Sequence, residues 1–122
     1  MATVNLTEEN FSATLADNDI VLLDFWASWC GPCRTFGPIY EQVSEAHPDL
    51  VFGKVDTEAE QTIAGQFGIR SIPTLAVIRD NVLLFSQAGV LPADALESLI
   101  SQVRELDMDQ VHRDIAAQSE SA

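Results

Sequence analysis

Apolar residues in this chain follow two rhythms. Short, nearly continuous runs alternate with stretches where they recur every three or four positions, predicting strands and helices respectively. Residues 3–6 (TVNL) predict a short first strand. Thr7 is placed to N-cap the next segment, with Glu8 and Glu9 in its first turn and Phe11 and Leu15 on one face. Residues 20–27 (IVLLDFWA) are almost wholly apolar, the pattern of a strand buried on both faces, and Asp24 is the break in it. Residues 33–47 set Phe36, Ile39, Tyr40, Val43 and Ala46 at helical spacing. Pro38 lies within that stretch, removes a backbone donor and is expected to kink the helix. Residues 49–56 (DLVFGKVD) predict a third strand, and 58–67 (EAEQTIAGQF) a helix with Ile63 and Phe67 on one face. Strands at 74–79 and 82–87 are joined by the turn pair Asp80-Asn81. Pro92 starts a last helix facing inward through Leu96, Leu99, Ile100, Val103 and Leu106.

This order, β-α-β-α-β-α-β-β-α, predicts an α/β domain: a parallel portion covered by helices on both faces, made mixed by the closing hairpin. No internal repeat is present. Residues 107–122 are acidic, small and polar, ending in a Ser-rich stub. Val111 and Ile115 either continue a helix face or belong to a frayed tail with its last residues disordered. The predicted organisation is therefore a domain over 1–106 and an acidic C-terminal extension over 107–122.

Composition narrows the function. A chain of 122 residues fits one domain and buries a core without staples. No apolar run approaches the roughly 18 residues of a membrane span. The first residues, MATVNLTEENF, lack the basic and apolar character of a secretory or transit leader, so a cytoplasmic location is expected. A net charge of −13 excludes nucleic acid and anionic membranes as partners. It serves solubility first, and secondarily favours partners with a basic rim. No long apolar edge demands an oligomer, so a monomer is expected.

The chemistry sits in residues 26–33, WASWCGPC. Three residues rise roughly 4.5 Å along a helix and return to nearly the same face. That brings Cys30 and Cys33 into the disulfide range of about 4.4 to 6.8 Å between Cα atoms. Along a strand the same pair would lie roughly 10 Å apart and point to opposite faces. Gly31 permits the turn into a helix, and Pro32 suits a first helical position. Cys30 then precedes a helix N-terminus, where unpaired N–H groups stabilise a thiolate, the attacking species in disulfide exchange. Cys33, one turn in and more shielded, is placed to resolve a mixed disulfide on Cys30. A purely structural disulfide would close too short a loop to constrain much. A zinc site needs about four ligands, and only His47 and His112 are available to join the thiols, neither at motif spacing. No metal is expected.

On WCGPC, FWASWCGPCR, GIRSIPT and QAG, in this order and spacing, the chain resembles the thioredoxin family from about residue 3 to 106. The wording is most similar to bacterial members, and among these the actinobacterial ones. The resemblance implies a central mixed five-stranded sheet flanked by four helices. It also implies reduction of protein disulfides, with the oxidised protein recycled by an NADPH-dependent flavoprotein reductase and no cofactor held by the chain itself. Cys30 matches the nucleophile and Cys33 the resolving cysteine. Asp24 matches a buried acid behind the disulfide. Burial without a partner raises such a carboxyl's pKa and poises it to take the Cys33 proton. Lys54 matches a lysine near that acid. Pro73 matches a proline held cis opposite the cysteines. A proline at a strand start leaves neighbouring backbone groups to pair with a partner strand. Trp29, Gly31, Pro32, Ile72, Pro73, Ala88, Gly89 and Val90 match an apolar docking patch, with Trp29 exposed and Trp26 packed beneath.

Departures from the pattern are small. Arg34 stands where lysine is common, Ser28 where an acid is frequent, and Asp80-Asn81 where the hairpin often carries glycine. The extension has no counterpart in a minimal member. Two other functions stay open on the sequence. One is an oxidant or isomerase, against which Pro32 argues because a histidine there would favour the thiolate. The other is a binding or chaperone-like module using the apolar patch, with its redox chemistry incidental.

Overall fold

The computed structural model describes residues 2–121. Five strands, β1 (Thr3–Asn5), β2 (Ile20–Trp26), β3 (Val51–Asp56), β4 (Thr74–Arg79) and β5 (Val82–Ala88), form one sheet in the order β1-β3-β2-β4-β5. β3 runs parallel to both β1 and β2, while β2–β4 and β4–β5 are antiparallel. The mixed sheet is thus the predicted one, and β2 lies at its centre.

Strand alternation divides the core into two layers. Ile20 and Leu22 of β2 face one way, against Phe36, Tyr40 and Val43 of α2 (Gly31–Glu45) and Leu96, Ile100 and Val103 of α4 (Ala93–Glu105). Val21, Leu23 and Phe25 face the other way, against Phe11 of α1 (Phe11–Asp17) and Ile63 of α3 (Gln61–Gln66). By this alternation Asp24 belongs to the α2 face.

Three expectations are corrected. α1 starts at Phe11, not after Thr7: residues 8–10 form a turn in which Thr7 N–H donates to Asn10 Oδ1 at 2.8 Å, leaving Glu8 and Glu9 outside the helix. α2 begins and ends two residues earlier than the predicted 33–47, with Pro38 inside it. A fifth helix, α5 (Met108–Ser121), adds to the four expected. Leu106 and Asp107 separate it from α4, whose last carbonyls are capped by Arg79: Nη1 donates to Val103 O at 2.8 Å and Leu106 O at 3.3 Å. Met108 is buried, Val111 half-buried, and His112 Nε2 lies 3.3 Å from Asp80 Oδ2. Residues 108–121 are therefore helical rather than frayed, and Ala122 lies outside the described residues. The predicted hairpin turn holds, with φ of 53° at Asp80 and 63° at Asn81, the left-handed pair that twists strands correctly.

Gly53 of β3 is needed for a close approach. A Cβ there would collide with the buried Leu6 side chain and come within 3.3 Å of Leu22 O. Its own carbonyl accepts the Tyr40 hydroxyl at 2.8 Å. Gly53→Ala is expected to destabilise the fold by about 1 to 3 kcal/mol through overpacking, read as a lower urea midpoint at unchanged slope.

Candidate active site

Cys30 is the N-cap of α2. Its backbone is extended, with φ −87° and ψ 114°, and its Sγ accepts the Cys33 N–H at 3.1 Å. That N–H is one of the helix's first four, which have no acceptor within the helix. Gly31 and Pro32 are the first two helical residues, so the donor that Pro32 lacks leaves no helical bond unmade. One turn on, Cys33 sits with its Cα 5.2 Å from that of Cys30, and the two are joined as a disulfide.

Exposure does not separate the two sulfurs as the sequence suggested. Cys30 is 4% exposed and Cys33 5%, so Cys33 is not the more shielded. Their neighbours differ instead. Trp29, Gly31 and Pro32 lie exposed around Cys30, and Cys30 Sγ is 3.6 Å from Ile72 O. Cys33 borders a cavity of about 200 Å³ that it shares with Trp26, Arg34 and Lys54.

Asp24 is 1% exposed, and its Oδ1 has no hydrogen-bond partner among the described residues. Loss of water disfavours its charged form and pushes its pKa from 3.8 to about 7, against a smaller lowering by the Lys54 ammonium. Lys54 is paired with Asp24 across the β2–β3 ladder, and its Nζ sits 5.0 Å from the Trp26 ring centroid. Burial, and secondarily the Asp24 charge, raises the Tyr40 hydroxyl well above its ordinary range. Strand alternation places Asp24 on the sheet face covered by α2, the helix carrying both cysteines. Trp26 is half-buried, with Nε1 enclosed and unpartnered among the described residues.

The Ile72–Pro73 bond is cis. Pro73 is buried, and its carbonyl accepts the Gly89 N–H at 2.8 Å, so this oxygen is not free to pair with a partner strand. Ile72 is half-buried with its carbonyl turned to Cys30. Gly89 is exposed with φ of 106°, a left-handed conformation that favours glycine. Ala88 and Val90 beside it are exposed as well. Apolar surface from Trp29, Pro32, Ile72 and Val90 thus comes from three separate segments: the start of α2 with the loop before it, and the loops before β4 and after β5.

Two residues of this region escaped the sequence analysis. Glu58, read there as part of a helix, lies in the turn before α3 and accepts a hydrogen bond from Trp29 Nε1. Arg70 stands exposed in the wall of a groove of about 390 Å³ that runs from Trp29 to Ile72. Glu58 carries no local signal, because it meets Trp29 only through the fold; Arg70 stands in the GIRSIPT stretch, two residues before Ile72, but no spacing there marks it.

With this geometry in hand, comparison with known proteins is direct. The thioredoxin family model matches residues 2–102. A Streptomyces coelicolor protein named "Putative thioredoxin 2" is 57% identical over 121 residues, covering 99% of this chain and 90% of the relative. Thioredoxin of Bacillus subtilis is 39% identical over 103 residues, covering 84% of this chain and 98% of its own. Among solved structures, a mutant thioredoxin from Halobacterium salinarum superposes with a TM-score of 0.78 at 33% identity, covering 85% of this chain and 92% of the other.

Proposed function

The chain belongs to the thioredoxin family and is a thiol-disulfide oxidoreductase built on the Cys30–Cys33 pair; from that premise we propose that it acts as a reductant of protein disulfides, with each side chain of the site in a separate role. The observation that carries the direction is the surroundings of Cys30 Sγ. It accepts one N–H, from Cys33, and faces the lone pairs of Ile72 O at 3.6 Å. No cationic side chain hydrogen-bonds either sulfur among the described residues. A pair becomes oxidising when its reduced form is strongly stabilised, and this site stabilises a thiolate only modestly.

In the proposed sequence the Cys30 thiolate attacks one sulfur of a substrate disulfide. A Cys30–substrate disulfide forms, and the other substrate sulfur leaves as a thiolate and takes up a proton. Cys33 gives its proton to Asp24 and attacks Cys30 Sγ. The intramolecular disulfide forms, the second substrate sulfur leaves, and two electrons have passed to the substrate. Asp24 suits this step because a carboxyl with a pKa of about 7 exchanges protons at neutral pH. Lys54 tunes that carboxyl, and Trp26 supports Lys54 through its ring. Trp29, Gly31, Pro32, Ile72, Pro73 and Gly89 form the docking surface for an extended substrate.

Family membership implies a reductase and disulfide-bearing proteins as partners. The finer proposal is that an NADPH-dependent flavoprotein reductase returns the pair to the dithiol in the cytoplasm, where a reducing pool keeps it so. No helix among the described residues is long and apolar enough to cross a membrane, and no cluster of three or more His, Cys, Asp or Glu residues suited to a metal is found there. Of the exposed large apolar residues, Trp29 and Val90 belong to the docking surface, and Val4, Leu83, Leu106 and Ile115 come from separate segments of the chain, which supports a monomer. The catalytic domain is proposed to end at residue 106, with α5 as an appendage on the hairpin turn. The family model's match to residues 2–102 supports that boundary.

The test is the reduction potential, measured by equilibration in dithiothreitol buffers and read by the fluorescence of Trp26 and Trp29. A value well below the cytosolic glutathione poise is expected. A value above it would make the pair a donor of disulfides.

A further inference from the structure

The groove beside the disulfide carries a charge at odds with the molecule. It is lined by Trp29, Thr57, Gln61, Ile69, Arg70 and Ile72, and at Ile72 it meets Cys30, whose Sγ lies 3.6 Å from Ile72 O. Arg70 is its one charged lining residue. The chain holds six basic residues against nineteen acidic ones, and the other arginines are engaged. Arg79 and Arg104 pair with Asp19 and Asp49, Arg34 donates to Ser28 O, and Arg113 donates to Gln110. Arg70 alone among them has no hydrogen bond or ion pair among the described residues.

Two acids near the groove each accept a hydrogen bond from a group other than Arg70. Glu58 accepts from Trp29 Nε1, and Glu60 Oε1 accepts the Glu8 N–H at 3.0 Å. An arginine left free on a surface of net charge −13, when so many carboxylates compete for cations, is held apart by the fold rather than for want of partners. A guanidinium is built to take a carboxylate in a two-pronged bond, and such a bond strengthens when a docked chain excludes water around it.

We propose that Arg70 is a specificity-determining residue that selects disulfide substrates carrying an aspartate or glutamate beside the reacting cysteine, bound as an extended segment along this groove. This deepens the reading of the protein as a protein-disulfide reductase and rests on it. Net charge alone favours partners with a basic rim; the groove asks for the opposite sign locally, over the few residues next to the disulfide. The pattern wanted in a substrate is therefore an acidic segment at the disulfide with basic residues further out.

The experiment uses two disulfide-bonded peptides identical except for glutamate or lysine on the residues flanking the reactive cysteine. The full chain reduces them with dithiothreitol as electron source, and the readout is the ratio of their kcat/KM values. Wild type is expected to favour the acidic peptide by about 3- to 10-fold, the scale of one partly exposed charge-assisted contact. That ratio should fall toward one in Arg70→Gln, invert in Arg70→Glu, and shrink in high salt. Circular dichroism on each variant separates a lost contact from a lost fold. A wild type that reduces both peptides equally, or a preference that survives in a folded Arg70→Gln, overturns the proposal. A wild type that reduces neither peptide overturns the reductase reading itself, and the groove's role with it.

Discussion

Asp24→Asn is expected to stabilise the oxidised protein by roughly 4 kcal/mol at about pH 8 and to change its stability little at about pH 4. The sign follows from which state holds the proton. In the unfolded chain the carboxyl ionises near its ordinary value of 3.8, and in the fold burial holds it protonated up to about 7. Between those values the folded state binds a proton that the unfolded state has released. Wild-type stability therefore falls as pH rises through that window, and the full loss is in place above about pH 7. Asparagine has no proton to lose and shows no such slope. Urea midpoints of both proteins across this range test it, and parallel curves would mean that Asp24 is hydrated in solution.

The same substitution has a kinetic consequence. If Asp24 takes the Cys33 proton, Asp24→Asn slows release of the mixed disulfide at neutral pH by a factor on the order of a hundred, the lower end for a lost general base. The inflection near pH 7 in the rate of that step should also vanish. A group that destabilises the fold when charged is thus the group whose protonation the proposed mechanism uses. That explains why one acid interrupts the apolar run of β2.

Much of this was legible because it is written in local patterns. The run around Asp24 has the pattern of a strand buried on both faces, and the burial this implies sets the direction of its pKa. Gly31-Pro32 between two cysteines required a chain turning into a helix, since no strand brings those sulfurs together. The Asp80-Asn81 turn was equally local, because those residue types tolerate the left-handed backbone it needs. Misreadings arose where tertiary contacts decide. Thr7 looked like an N-cap, but Asn10 closes a turn back onto Thr7 N–H and moves the helix start to Phe11. α5 was left open because its stripe is sparse, and only docking of Met108 and His112 on the body distinguishes it from a tail. Glu58 meets Trp29 through an approach across the fold that no spacing rule encodes, and the groove that Arg70 lines exists only once the chain is folded. Helix position alone predicts that Cys33 is the more shielded, yet with the cis-proline loop beside it Cys30 is at least as well covered as Cys33.

That near-equality makes the two cysteine substitutions the sharpest division of roles. Cys30→Ser is expected to abolish both turnover and formation of any mixed disulfide. Cys33→Ser is expected to abolish turnover while accumulating one covalently bound substrate per chain. The loss of turnover in each is roughly a thousandfold or more, at least about 4 kcal/mol of barrier, since a serine hydroxyl neither ionises at neutral pH nor forms a disulfide. If access alone chose the nucleophile, exposures of 4% and 5% would let either thiol attack, and both variants would trap substrate. The asymmetry predicted here has another source. Cys30 Sγ is the cap that receives the Cys33 N–H at 3.1 Å, and it stands at the rim formed by Trp29, Gly31 and Pro32. Cys33 lies one turn further into α2, bordering the cavity that Lys54 also lines. The two variants can be incubated with reduced-and-reoxidised substrate protein and resolved by non-reducing electrophoresis. An adduct on Cys33→Ser alone assigns attack to Cys30 through its backbone donor, and adducts on both would make the sulfurs interchangeable and leave Asp24 without a distinct partner.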